Sequence, residues 1–283
     1  MFVFFLVIAL WVSIGDRPAV GQMALRWLYG FLLLGPVLCA WFVVVGIGSM
    51  CARRWARSII LAWSWVELVA GLADLTSFLD TFDEVPIGHI PKGAALLMKI
   101  FMIIIFMAFV YFYGSEDVRQ TCESRDTVAR WTDKCPIPVL VILVASANKL
   151  FGVLVSLIVA LPKFYFGHAL GPVPGAVAAA FVCSICVYVA WGAYRLRKSA
   201  WWCGVILALI LFFSEAVTYA RGATFADYYE VFAASYPGDP LMEKIPLGTP
   251  AASLSLCLVY FVWFGYLVYA RKYFANRLAR QSS

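Results

Sequence analysis

The sequence predicts an all-α, polytopic helical membrane protein with about eight transmembrane helices in two parallel four-helix repeats. Three observations lead there: the composition, a series of apolar runs of membrane-spanning length, and short motifs that recur in the same order in both halves. Of 283 residues, 64% are hydrophobic and 13% charged, and the mean hydropathy is +0.87. A soluble domain is roughly half apolar and about a quarter charged. The net charge of +6 does not indicate nucleic acid, because the basic residues sit in short clusters at the ends of apolar runs, where they act as topology signals.

The first apolar run, Phe2–Ile14, is short and precedes Asp16. It has neither a basic leading region nor a small-x-small cleavage site, so it reads as an uncleaved first span. Seven further spans are expected at Ala24–Met50, Ser58–Phe78, Ala94–Tyr113, Ile137–Leu161, Leu170–Tyr194, Ala200–Tyr219 and Ala251–Tyr269. At about 1.5 Å per residue, each can cross roughly 30 Å of hydrocarbon. The expected organisation is therefore a first four-span half (1–113), a charged connecting segment (114–135), a second four-span half (136–270) and a basic tail (271–283).

Lys and Arg set the orientation. Fourteen fall at one set of span ends: Arg53, Arg54, Arg57, Arg119, Arg125, Arg130, Lys134, Arg195, Arg197, Lys198, Arg271, Lys272, Arg277 and Arg280. Seven fall at the other: Arg17, Arg26, Lys92, Lys99, Lys163, Arg221 and Lys244. The richer set faces the cytoplasm, so both termini and the segment 114–135 are expected there, in a cell-membrane protein.

Duplication rests on two motif pairs. GSMCARRWA (Gly48–Ala56) aligns without a gap on GAYRLRKSA (Gly192–Ala200), superposing the glycine, two basic residues and the final alanine. IPKGAALL before the fourth span matches IPLGTPAASL before the eighth. Four spans per copy is an even number, so both copies enter the membrane from the same side. The long outer loop Arg221–Pro250 carries TFADYYEVFAASY, where Phe225, Tyr228, Tyr229, Phe232 and Tyr236 recur at helical spacing. That pattern predicts a short amphipathic surface helix.

Two charges fall near the bilayer centre, Glu67 and Lys149. Either would cost roughly 2.5–3.5 kcal/mol facing lipid, so both should face inward, and their opposite signs at one depth predict an ion pair. Ser64, Glu67, Gly71 and Asp74 form a polar stripe on the third span. Ser146, Lys149 and Ser156, with Asn148 beside them, form one on the fifth. One stripe comes from each half, so Glu67, Lys149, Asp74, Ser64, Asn148 and Ser146 are the expected binding residues at the seam between the copies. The opposing interpretation is a buried pair that fixes helix register and binds nothing. Glu215, with Ser214 and Thr218, lies nearer the outer end of the seventh span and is the weaker candidate.

Other chemistry finds little support. His89 and His168 both fall in outer loops with no metal-ligand spacing around Asp80, Asp83 and Glu84, and no span carries a histidine for haem. Cys183 and Cys186 read as small residues at a helix contact, while Cys122 and Cys135 are too few for a closed zinc site and should stay reduced in the cytoplasm. No phosphate loop, zinc-protease motif or serine elbow is present. No cofactor and no catalytic role are therefore expected. The leading expectation is a small permease-like or channel-like protein whose partners are the lipid bilayer and a small solute or ion. The competing one is a non-catalytic scaffold or accessory subunit with a partner chain or a second copy. An intramembrane enzyme acting on lipid is the third class.

Overall fold

The computed structural model describes residues 22–80, 92–128, 130–158, 163–221 and 251–275. These form α1 (Gln22–Met50), α2 (Arg54–Asp80), α3 (Lys92–Gly114), α4 (Glu116–Arg125), α5 (Trp131–Lys134), α6 (Ile137–Ile158), β1 (Lys163–Tyr165), β2 (His168–Leu170), α7 (Pro172–Tyr194), α8 (Lys198–Ala220) and α9 (Ala251–Ala275). The expected first span at Phe2–Ile14, the amphipathic helix at 225–236 and His89 lie outside the described residues.

Six helices, α1, α2, α3, α6, α7 and α8, are long and apolar enough to cross a membrane, and α9 matches them in length at 25 residues. Their outward faces are hydrocarbon. On α1, Leu32, Leu33, Val37, Val43, Val44 and Ile47 are all more than half exposed, as are Leu97, Phe101, Ile104 and Met107 on α3. Continuous apolar surface of this extent belongs against lipid, not water. The chain is a helical membrane protein. Pro36 sits inside α1 without ending it, as membrane helices tolerate.

Packing centres on α2 and the second half. The helices α6–α7, α7–α8 and α8–α9 pack in succession, and α9 returns to touch α6. Helix α2 docks on this group through α6 and α9, and carries α3 and α1 on its other sides. One core cluster joins α6, α7, α8 and α9 through Val139, Ile142, Val189, Trp201, Val205 and Leu267. A second fills α6–α7–α8 around Val153, Val182, Cys186 and Leu211, and a third seats Ala62 of α2 on Leu140, Val141 and Val144 of α6.

The turns α1–α2 and α7–α8 have the same construction, residue for residue, at a spacing of 144. Ala52 and Leu196 adopt left-handed backbones, with φ of 50° and 53°. Arg53 N–H donates to the Gly48 carbonyl at 2.9 Å and Ala52 N–H to Ser49 at 2.9 Å; Arg197 donates to Gly192 at 2.8 Å and Leu196 to Ala193 at 2.9 Å. Both are Schellman closures with a non-glycine residue in the left-handed position. A Cβ on Gly48 would strike Trp55 and Ala56, and one on Gly192 would strike Ala200. In both turns, glycine lets the chain fold back directly onto the next helix.

The basic turns and the charged segment gather at one end of the bundle. Ser49 Oγ and Tyr113 OH lie 2.5 Å apart where α1 and α3 finish. Helix α4 begins with a Ser115 cap, whose hydroxyl accepts from Val118 N–H at 3.4 Å, followed by Glu116 and Asp117 in its first turn, both matched to the helix dipole. Asp126, only 1% exposed, is the anchor of the segment. Its carboxylate is bound by Arg130 at 2.8 Å and faces Arg53 at 3.6 Å, while Arg54 donates to the Glu123 carbonyl at 2.8 Å. Trp131 stacks edge-on against Tyr194, and Arg271 lies over Trp201. The Arg130 ion pair holds the Asp126 carboxyl below its usual range. Burial raises the Cys122 thiol and pushes Cys135 up to about 11, so both are neutral thiols near pH 7.

At the opposite end, β1 and β2 form an antiparallel hairpin pairing Tyr165 with His168. Its two-residue turn, Phe166–Gly167, has both φ positive, the hand that suits strand twist. Phe166 N–H donates to Ser214 Oγ at 3.0 Å and Gly167 N–H to Thr218 Oγ1 at 2.9 Å. The hairpin occupies the loop expected between the spans Ile137–Leu161 and Leu170–Tyr194, overlapping the second at Leu170. Helix α6 finishes at Ile158 and α7 starts at Pro172.

Candidate functional site

Helix α6 places Asn148 and Lys149 about 18 Å along a 22-residue helix from Ile137, close to its middle. Glu67 is the central residue of α2. Consecutive helical residues point about 100° apart, and that rotation organises the site. Asn148 faces α2 and donates from Nδ2 to Glu67 Oε1 at 3.4 Å. Lys149 turns toward α9, where Nζ donates to the Tyr260 hydroxyl at 3.0 Å and lies 5.5 Å from the ring centroid.

The expected ion pair is not formed. Among the described residues, neither Glu67 nor Lys149 belongs to a salt bridge. Each charge is held by a neutral group instead. Glu67 approaches α6 from α2 at Asn148, while Lys149 turns toward α9.

The remaining expected residues divide. Ser64, one turn before Glu67 on α2, is 1% exposed. Ser146 is also buried and bonds back to the Ile142 carbonyl at 2.8 Å, so its hydroxyl is satisfied within its own helix. Asp74 is separate from this group. It is exposed and forms an ion pair with Lys99 of α3, while Gly71 looks onto Ile103 of α3. The α2 stripe thus splits, its first part facing α6 and its last part facing α3.

Three residues outside the expected set complete the surroundings of Lys149. Tyr260 contributes its hydroxyl, and Tyr165 of the hairpin and Cys186 of α7 lie within electrostatic reach of the ammonium. Glu215 of α8 also feels the Lys149 charge, without a salt bridge among the described residues. Among the described residues, α7, α8 and α9 each carry a group that interacts with this one cation. A tyrosine amid the apolar LSLCLVYFVWF of α9 was the available signal for Tyr260. No group of three or more metal-ligating side chains occurs among the described residues, and none of the eight cysteines forms a disulfide.

Compared with protein-family models, curated proteins and solved structures, the chain matches none. A cation and a carboxylate sit at mid-helix on adjoining faces of α6, each hydrogen-bonded to an uncharged partner. The Lys149 amine is engaged by the Tyr260 hydroxyl. Such an arrangement can accept a small ligand carrying either charge, or both.

Proposed function

We propose that this protein is a small permease-like or channel-like membrane protein that binds a small charged solute or ion around Lys149, with Glu67 and Asn148 as its second polar element. The observation that carries the reading is that Lys149 has no carboxylate partner among the described residues and is held by the neutral Tyr260 hydroxyl. A charge at mid-membrane costs roughly 2.5–3.5 kcal/mol if it faces lipid, and a cation kept only for helix register would be closed off against a carboxylate. Glu67 is available at the same depth yet is bound to an amide. Two unpaired charges on neighbouring faces favour a ligand over a structural lock.

The same proposal takes the chain as two related halves of four spans, eight in all, with both termini cytoplasmic. Support comes from the matched turns at Gly48–Arg53 and Gly192–Arg197 and from the clustering of the basic-rich span ends at one end of the bundle. Cysteine labelling tests orientation: in a cysteine-free background, Thr127→Cys should react only from the cytoplasmic side, and external reactivity would reverse it. Function is tested in vesicles loaded with a pH-sensitive dye under a potassium diffusion potential. Wild type should carry proton or small-ion flux, and Glu67→Gln and Lys149→Met should each lose it while remaining folded. Flux equal to that of empty vesicles would count against the proposal.

One observation favours a second reading, a scaffold or accessory subunit. A cavity of about 240 Å3 lies not around Lys149 but at the basic end of the bundle. A partner chain or second copy that co-purifies stably with a flux-inactive protein would support that alternative.

A further inference from the structure

We propose that this basic-end cavity is a binding site for a phosphate-bearing anion, with Arg57 as its principal ligand. It is a half-open, mainly apolar recess bordered by the α1–α2 turn, the last residues of α3 and one face of α4, and its polar lining comes from Arg53, Arg57, Ser49, Tyr113 and Thr121. At about 240 Å3 it is smaller than the roughly 300–1,000 Å3 typical of drug-sized ligands, and is the size of a headgroup or inorganic anion. Phe112 closes one wall with apolar surface, suited to the glycerol carbons next to a lipid phosphate.

Arg57 distinguishes this cavity from an ordinary basic turn. The neighbouring carboxylates already have partners: Glu116 and Glu123 are paired with Arg119, and Asp126 with Arg130 and Arg53. Among the described residues, the Arg57 guanidinium makes no hydrogen bond or ion pair, and its Nε is buried without a partner. A guanidinium presents five donors suited to phosphate oxygens, and leaving a buried donor unsatisfied is unfavourable. That Nε is closed to solvent, so a phosphate in the cavity would be bound by the guanidinium's terminal amino groups, which have no partner among the described residues. Of the hydroxyls lining the same space, Thr121 already donates to the Asp117 carbonyl and Ser49 and Tyr113 bond each other, which leaves that pair one donor for an anion.

The matching turn in the second half provides an internal control. Position 201 stands to α7–α8 as position 57 stands to α1–α2: Arg57 N–H bonds the Arg53 carbonyl and Trp201 N–H bonds the Arg197 carbonyl. There the side chain is a buried tryptophan, whose Nε1 donates to the Leu267 carbonyl at 2.7 Å. One turn is filled by an indole with its donor satisfied, and the other is left open around a guanidinium with a donor unsatisfied. The exchange of tryptophan for arginine turns a packed joint into a charged pocket.

Two probes test the site in the purified full chain in uncharged detergent: inorganic phosphate and dioctanoyl phosphatidic acid, with dioctanoyl phosphatidylcholine for comparison. Binding of at least one of the two probes is expected, weakening as salt rises. A lipid at least tenfold tighter than phosphate identifies a headgroup site, and comparable affinities identify a site for free phosphate; both support the proposal. Arg57→Gln should weaken binding at least tenfold. Arg57→Trp, which reproduces the closed turn, and Thr121→Phe, which fills the space without removing an arginine, should both abolish it while the protein stays folded. Arg195→Gln, at the other turn, should leave it unchanged. Absence of binding to either probe, or equal binding by the wild type and the two filled variants, would overturn the proposal.

Discussion

Tyr260→Phe deletes one hydroxyl and keeps the ring, so it isolates the hydrogen bond to Lys149 at 3.0 Å from the cation–π contact at 5.5 Å. A hydrogen bond to a charged group contributes roughly 1.5–3 kcal/mol net, whereas side-chain bonds within membrane bundles average about 0.6 and reach about 1.7 kcal/mol. The Lys149 bond belongs to both classes, which places the expected loss near about 1–2 kcal/mol. Once Lys149→Met is in place the hydroxyl has no cation to serve, and the same Tyr260→Phe change should cost less than about 0.5 kcal/mol. The cycle is measured by detergent-induced unfolding in mixed micelles, followed by circular dichroism. Equal losses in both backgrounds would show that the contact carries no energy and would refute the assignment of Tyr260 as the lysine's partner. Glu67→Gln combined with Lys149→Met should be additive within about 0.5 kcal/mol, because the two charges have different partners.

Three further outcomes follow from the turns and the charged segment. Gly192→Ala, which drives a Cβ into Ala200, should destabilise by roughly 1–3 kcal/mol; Gly46→Ala, with open space around it, should be neutral or stabilise by up to about 1 kcal/mol, as thermal unfolding of the two variants would show. The Asp126 carboxyl is held below its usual range by Arg130, so its contribution is complete above the unfolded value of about 3.9 and lost as pH falls through the lower folded value. Amide exchange in α4, corrected for intrinsic rate, should therefore accelerate only below about pH 4; unchanged protection at lower pH would exclude Asp126 as the anchor. Cys135, pushed up to about 11 by burial, should alkylate at pH 8 about two hundred times more slowly than a free thiol on thiolate fraction alone, and a normal rate would mean the thiol is not buried.

Much of the fold was legible because hydrocarbon solvent imposes a simple rule: about 20 apolar residues in helical form per crossing. The ends of α1, α2, α3, α6, α7 and α8 lie close to the limits of the apolar runs for that reason. The paired turns were legible too, since Gly48 and Gly192 are required by close approach and the basic residues follow at fixed distance. The partners of the polar residues were not. Spacing fixes the depth and face of Glu67 and Lys149 on their own helices, but not which neighbour each face meets. Asn148, one residue away, faces Glu67 in the lysine's place. The arginines at 53 and 54 were read as topology signals, and nothing local reveals that Arg53 faces Asp126 and Arg54 caps Glu123 more than 60 residues later. Arg57 and Trp201 became comparable only once the two turns could be matched by their hydrogen bonds.

The most direct test of the proposed function is whether water reaches position 149. In a cysteine-free protein reconstituted in liposomes, Lys149→Cys is challenged with a positively charged, membrane-impermeant thiosulfonate, with Arg195→Cys as the exposed reference. A solute site predicts that the mid-helix thiol is modified from at least one side of the membrane. If the reference labels fully and position 149 stays unmodified from both sides, the polar centre is sealed. A solute pathway through it would then be contradicted.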